Sequence, residues 1–146
     1  MAIAARDQKL QAPVHQVLIY PVAGIDMTTP SYEANANAKP LNKAMMGWFV
    51  EKFLAKPEEK DSPMLDIVGK AKLENLPSTT VITAQIDPLR SEGQALADKL
   101  KAAGVSTEAK GYEGAAHEFF GMAVAVQDAA DAQLFVSQRL KESFGP

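Results

Sequence analysis

Two short apolar runs stand out in a chain whose remaining apolar residues are mostly spaced as in helices. Val17-Leu18-Ile19-Tyr20, closed by Pro21, and Val81-Ile82-Thr83-Ala84, stopped by Asp87-Pro88, are continuously apolar or β-branched. Such runs predict strands buried on both faces, because proline can neither donate to a sheet ladder nor continue a central strand. A third strand is expected over Thr107 to Tyr112. Met1 to Leu10 is alanine-rich and reads as the end of a helix, with Pro13 beyond it. Leu41, Met45, Trp48, Phe49 and Phe53 recur at helical spacing between polar residues, predicting an amphipathic helix over Leu41 to Leu54. Leu89, Leu96, Ala97, Leu100 and Ala103 mark another helix, with Gly104 placed for a left-handed cap. Val124, Leu134, Phe135 and Leu140 support a last helix running to about Phe144.

The segments between are polar. Gly24 to Pro40 is rich in Asp, Thr, Pro, Ser and Asn and is expected to be a loop. Glu58 to Pro77 should hold a turn at Asp61-Ser62-Pro63 and a short helical piece. Strands alternating with helices predict an α/β fold, a three-layer sandwich with parallel strands and helices on both faces. Functional residues of open sheets of this class collect at the carboxyl ends of the strands.

Composition narrows the function classes. The 146 residues, 47% apolar and 23% charged, suit a single domain spanning residues 1–146 with a buried core. A net charge of -3 offers no attraction for nucleic acid or an anionic membrane, so neither is expected as a partner. The absence of cysteine excludes disulfides and thiolate chemistry, and two histidines leave little room for zinc. No metal and no cofactor are expected. No apolar run approaches the roughly 18 to 20 residues that span a bilayer. Met1 to Asp7 is too short in apolar length for a secretory signal, which makes the cytoplasm the default expectation.

Asp87 follows the second strand and His117 lies in the loop after the third. The topology should bring them together. A carboxylate accepting the imidazole Nδ1–H fixes the tautomer and stabilises the imidazolium formed when Nε2 takes a proton. Taken alone, Asp87 reads as a helix cap and His117 as a loop histidine.

Longer matches change that balance. Asp87-Pro88-Leu89-Arg90-Ser91-Glu92-Gly93 is similar to the Asp-Pro-Leu-Arg-Asp-Glu-Gly motif around the catalytic acid of hormone-sensitive-lipase-like esterases, with only Ser91 departing. Tyr112-Glu113-Gly114-Ala115-Ala116-His117-Glu118-Phe119-Phe120-Gly121-Met122 resembles that family's Tyr-Pro-Gly-x-x-His-Gly-Phe-x-x-Met segment, with Glu113 and Glu118 in place of proline and glycine. Leu18-Ile19-Tyr20-Pro21 and Ser62-Pro63 also fit, so the resemblance covers nearly the whole chain. It implies the C-terminal half of an α/β-hydrolase fold, with Asp87 as triad acid and His117 as general base of a serine carboxylesterase acting on small-molecule esters.

The same resemblance says what these residues lack. Ala2 to Ala12 look like the C-terminal part of the helix that follows the nucleophile. No Gly-x-Ser-x-Gly elbow and no His-Gly-Gly-Gly-type oxyanion segment occurs, and Ser31, Ser62, Ser78, Ser91, Ser106, Ser137 and Ser143 lie outside any such motif. The chain alone is therefore expected to be inactive. The alternative is a non-catalytic α/β module that self-associates, as a homodimer across the Val17 to Tyr20 edge, or that joins a complementing N-terminal half. A truncated gene product without a selected function is a third reading. Of the remaining residues, His15 is expected at the surface, Glu118 as a solvated carboxylate, and Met45, Met46, Trp48 and Phe49 as core that touches a pocket.

Overall fold

The computed structural model describes residues 1–145. Among them, three parallel strands lie in the order β1-β2-β3: β1 (His15–Ile19), β2 (Ser78–Ile86) and β3 (Thr107–Ala116). Helix α1 (Ala2–Asp7) precedes β1; α2 (Pro30–Ala34), α3 (Lys43–Phe53) and α4 (Ile67–Lys70) lie between β1 and β2; α5 (Arg90–Ala102) joins β2 to β3, and α6 (Gln127–Phe144) ends the chain.

Alternation along the strands sorts the apolar side chains into two layers. Val17 and Ile19 of β1 join Ile82, Ala84, Tyr112 and Phe119 against Ala129, Ala132 and Val136 of α6. Leu18 turns to the other face, where Ala23, Leu73, Leu96, Leu100 and Val105 pack with Ile3 and Ile67. A sheet covered by α6 on one side and by α1, α4 and α5 on the other is the expected three-layer arrangement. Gly93 lets α5 approach β2 closely, since a Cβ there would lie 2.9 Å from the Thr83 methyl carbon.

Four expectations differ in instructive ways. The apolar run of β1 predicts burial on both faces, yet every residue of β1 is half-buried. The strand pairs only with β2, so one row of its backbone groups has no ladder partner among the described residues. The stretch Gly24 to Pro40 is not all loop: Thr29 and Pro30 start the short helix α2, proline's fixed φ suiting the first helical position. Helix α3 begins where Asn42 accepts from the Met45 N–H, but of its apolar residues only Met46 is buried. Trp48 and Phe49 stack edge to face with Trp48 55% exposed, so Met45, Trp48 and Phe49, expected as core, lie at the surface, and Met46 alone of the four packs in the core, against Tyr32, Leu41 and Leu89. Strand β3 runs four residues past Tyr112, to Ala116.

Candidate active site

The chemistry sits at the carboxyl edge of the sheet. Strand β2 ends at Ile86 and delivers Asp87, which is fully buried. Its Oδ1 accepts the Leu89 N–H at 2.9 Å, so the carboxylate is fixed across the turn that leads into α5 and cannot rotate freely. Its Oδ2 lies 2.8 Å from His117 Nδ1. The N-cap of α5 is Leu89, without a side-chain cap, so Asp87 is no helix cap: one oxygen closes the turn ahead of the helix and the other meets the imidazole.

His117 reaches this oxygen because β3 takes a detour. Ala84 of β2 is opposite Tyr112, but Ile86 is opposite Ala116, so two residues on β2 span four on β3. Gly114, at φ +73°, turns the extra residues outward and donates its N–H to Gln85 Oε1 at 2.7 Å. A side chain at that φ would be strained, which gives this glycine its local reason. Beyond the detour the His117 N–H returns to Ile86 O at 3.2 Å, holding the imidazole beside the β2 terminus. Glu118 follows at φ +71°, a left-handed position that costs a non-glycine residue on the order of 1 kcal/mol. Glu118 is exposed, as expected.

With Nδ1 facing the carboxylate, His117 Nε2 makes no hydrogen bond among the described residues. The side chain stays 17% exposed, so this nitrogen is open to an incoming proton donor.

Several supporting residues carry no signal in the sequence pattern. Ser31, fully buried on α2, donates its hydroxyl to Pro88 O at 2.5 Å and accepts the Ser91 N–H at 3.0 Å. Its own N–H returns to Ser91 Oγ at 3.1 Å. Asn35 Nδ2 donates to Asp87 O at 3.2 Å. These bonds fasten α2 onto the turn that presents the acid, and Ser91, the one departure from the acid motif, is half of that fastening. Thr29-Pro30 was the available signal for α2, but nothing local says where the helix docks.

Glu92 lies one turn further on and is buried. Its Oε1 accepts the Ala23 and Gly24 N–H groups at 2.7 and 3.3 Å, anchoring the chain as it leaves β1, while Oε2 has no partner. Burial pushes its carboxyl up to about 7, against the pull of those two N–H groups and with the Asp87 and Asp26 charges nearby adding to the rise. It lines a cavity of about 500 Å³ bounded also by Ile25, Asp66, Val68 and Lys99.

The second histidine is at the opposite edge. His15, expected at the surface, is half-buried between Thr80 Oγ1 at 2.9 Å from Nε2 and Ser143 Oγ at 2.8 Å from Nδ1. Ser143 donates to Arg139 O at 2.9 Å, so it accepts from Nδ1–H and leaves Nε2 to accept from Thr80. Desolvation, and then the Arg139 charge, lower the His15 pKa. Both ring nitrogens are committed, so this serine–histidine contact has no base to offer. Among the described residues no cluster of side chains is arranged to hold a metal ion, and no helix is long and apolar enough to cross a membrane.

Residues 1–121 match a family model described as the alpha/beta hydrolase fold. The carboxylesterase NlhH of Mycobacterium tuberculosis is 35% identical over 135 residues, covering 90% of this chain and 42% of that protein. An ethyl acetate hydrolase of Pseudomonas putida is 27% identical over 139 residues, covering 94% of this chain and 43% of its own length. Among solved structures, a hyperthermophilic esterase of Pyrobaculum calidifontis superposes with a TM-score of 0.90 at 33% identity over 97% of this chain and 47% of that one. The chain spans less than half the length of each of these proteins.

Proposed function

The chain belongs to the α/β-hydrolase fold family, and from that premise we propose that Asp87 and His117 are the acid and base of a serine carboxylesterase whose attacking hydroxyl comes from residues outside these 146. The reaction divides as follows. The serine oxygen attacks the ester carbonyl while His117 Nε2 takes its proton. The imidazolium then protonates the leaving alkoxide, and the cycle repeats with water as the nucleophile. Asp87, buried and held by the Leu89 N–H, keeps Nδ1 protonated so that Nε2 is the basic nitrogen. The 146 residues act as one domain, the carboxyl-terminal part of a larger hydrolase unit, and alone do not turn over esters. Small-molecule esters are the substrate class, by analogy with the relatives' names.

The single observation that carries this is the 2.8 Å contact between His117 Nδ1 and a carboxylate with no solvent exposure, with Nε2 left open. To test it, the chain is supplied with the amino-terminal half of a related esterase, fused or in trans, and hydrolysis of p-nitrophenyl butyrate is followed. Activity that falls about 10⁴-fold or more in His117→Ala supports the assignment, the scale being that of triad members elsewhere. Full-rate hydrolysis by His117→Ala defeats it.

A second reading has its own observation. Beside the unpaired edge of β1, the α1 region leaves a groove of about 580 Å³ lined by Ala2, Ala5, Leu10, Pro13 and Val14, with Leu10 and Val14 more than half exposed. The chain produced alone pairs this edge with a second copy, or with a complementing amino-terminal half when one is present. Sedimentation showing a folded monomer at high concentration removes the homodimer.

A further inference from the structure

Each of the three strands ends at the same edge with one residue of the site: β2 with Asp87, β3 with His117, and β1 with Tyr20. We propose that Tyr20 is a positioning residue for the His117 imidazole, packing against the ring whose Nδ1 the Asp87 carboxylate holds. The inference rests on the reading of His117 as the general base.

Three independent features of Tyr20 point this way. Its ring lies against the imidazole, with centroids 4.6 Å apart and planes at 49°. Its phenol oxygen accepts the Phe120 N–H at 2.9 Å, three residues beyond His117 and 100 residues from itself in sequence. Phe120 O in turn accepts from Gln133 Nε2 at 2.7 Å, so the loop carrying the base is braced from β1 on one side and from α6 on the other. The same tyrosine therefore holds the imidazole directly and holds the backbone that bears it.

The backbone of Tyr20 supplies the third feature. Its N–H still completes the ladder to Ile82 O at 2.8 Å, yet its φ is +35°, and Pro21 follows. A bulky aromatic residue at positive φ is an outlier that persists only when its surroundings over-determine it. Here the surroundings are the imidazole, the Phe120 N–H and the Phe119 ring at 5.9 Å. A side chain needed only to fill the core would not require the chain to kink just past the end of an otherwise regular strand. Removing the ring frees the imidazole to rotate about its bond to Asp87, and removing the phenol oxygen alone loosens the loop.

The experiment uses the chain as it stands, labelled with ¹⁵N, and reads the His117 Nδ1-bound proton, the imidazole ¹⁵N shifts and amide exchange. In the parent, the Nδ1 proton is retained by Asp87, and Asp87→Asn abolishes the signal. Tyr20→Phe keeps the ring and is expected to speed exchange of the Phe120 amide and the Nδ1 proton by about 2- to 10-fold, the range of one lost neutral hydrogen bond. Tyr20→Leu is expected to speed Nδ1 exchange further and to move the ¹⁵N shifts toward a mixture of tautomers. Protected Val81 and Leu100 amides report an intact core in each variant. If Tyr20→Leu loses that protection, Tyr20→Phe decides alone. Nδ1 exchange and ¹⁵N shifts equal to the parent's, in a folded Tyr20→Phe and in Tyr20→Leu if it folds, overturn the positioning role while leaving the acid–base pair standing. A signal untouched by Asp87→Asn sinks the pair itself and the role of Tyr20 with it.

Discussion

The two edges of the sheet each hold a histidine against an oxygen-bearing partner, and they use it in opposite ways. At the amino edge, His15 is saturated: Thr80 donates to one nitrogen and Ser143 accepts from the other. At the carboxyl edge, His117 has one nitrogen on a buried carboxylate and the other open. A serine beside a histidine is thus no sign of nucleophilic chemistry unless the ring keeps a free basic nitrogen. The carboxyl edge also carries the local costs: positive φ at Tyr20 and Glu118, a detour in β3, and an unpartnered oxygen on Glu92. The amino edge carries fewer, a positive φ at Asn75 ahead of β2 and an unpartnered Nε on Arg139 beside His15, and its strands have no detour.

The sharpest way to break the contrast is activity. In the complemented enzyme, Asp87→Asn should lower the rate of p-nitrophenyl ester hydrolysis about 10⁴-fold, whereas His15→Gln should change it less than about threefold. Comparable losses at both edges would erase the distinction.

Stability against pH should separate the edges next. Glu92 titrates higher in the folded chain, about 7, than its ordinary 4.5. Below about 4.5 its neutral form is unopposed; as pH rises through 7 the folded state must accept a buried charge, and up to about 3 kcal/mol is lost. His15 has the opposite sign: its pKa is lowered in the folded chain, so its contribution is present above 6.5 and lost as pH falls. Urea midpoints measured from pH 4.5 to 8 should show Glu92→Gln flattening the decline toward alkaline pH and His15→Gln flattening the decline toward acid. An unchanged alkaline limb in Glu92→Gln would mean that the carboxyl is not held neutral.

The smallest effects concern single contacts. Ser143→Ala should cost about 1 kcal/mol by leaving His15 Nδ1–H without its acceptor. Glu118→Gly should instead gain about 0.5–1 kcal/mol, relief of the left-handed strain exceeding the extra freedom of glycine in the unfolded chain. Both are read as shifts in urea midpoint at constant slope. A loss of stability in Glu118→Gly would show that the side chain makes a compensating contact.

The elements that could be read from sequence were those whose own spacing decides their burial. The runs at Val17 and Val81 and the stripe through Leu96 and Leu100 announce a sheet with helices across it. Asp87 and His117 were legible because the residues flanking them form long recognisable strings. Helix α3 misled because periodicity reports that a face is apolar, not that anything covers it; among the described residues Trp48 and Phe53 remain exposed. His15 was misjudged because its partner Ser143 is 128 residues away. The same distance problem hid Ser31, Asn35 and Tyr20, whose roles exist only once α2 and β1 have docked on the turns after β2 and β3.

The detour in β3 also resets which way the side chains face. They alternate along a regular strand, yet Tyr112 and Ala115, an odd three residues apart, both pack in the layer against α6. The two extra residues allow this, since four steps of β3 cover two of β2 and Ala116 still meets Ile86. Removing Glu113 and Gly114 would restore plain alternation with Ala116 still opposite Ile86, and Ala115 would then turn away from the layer it now fills.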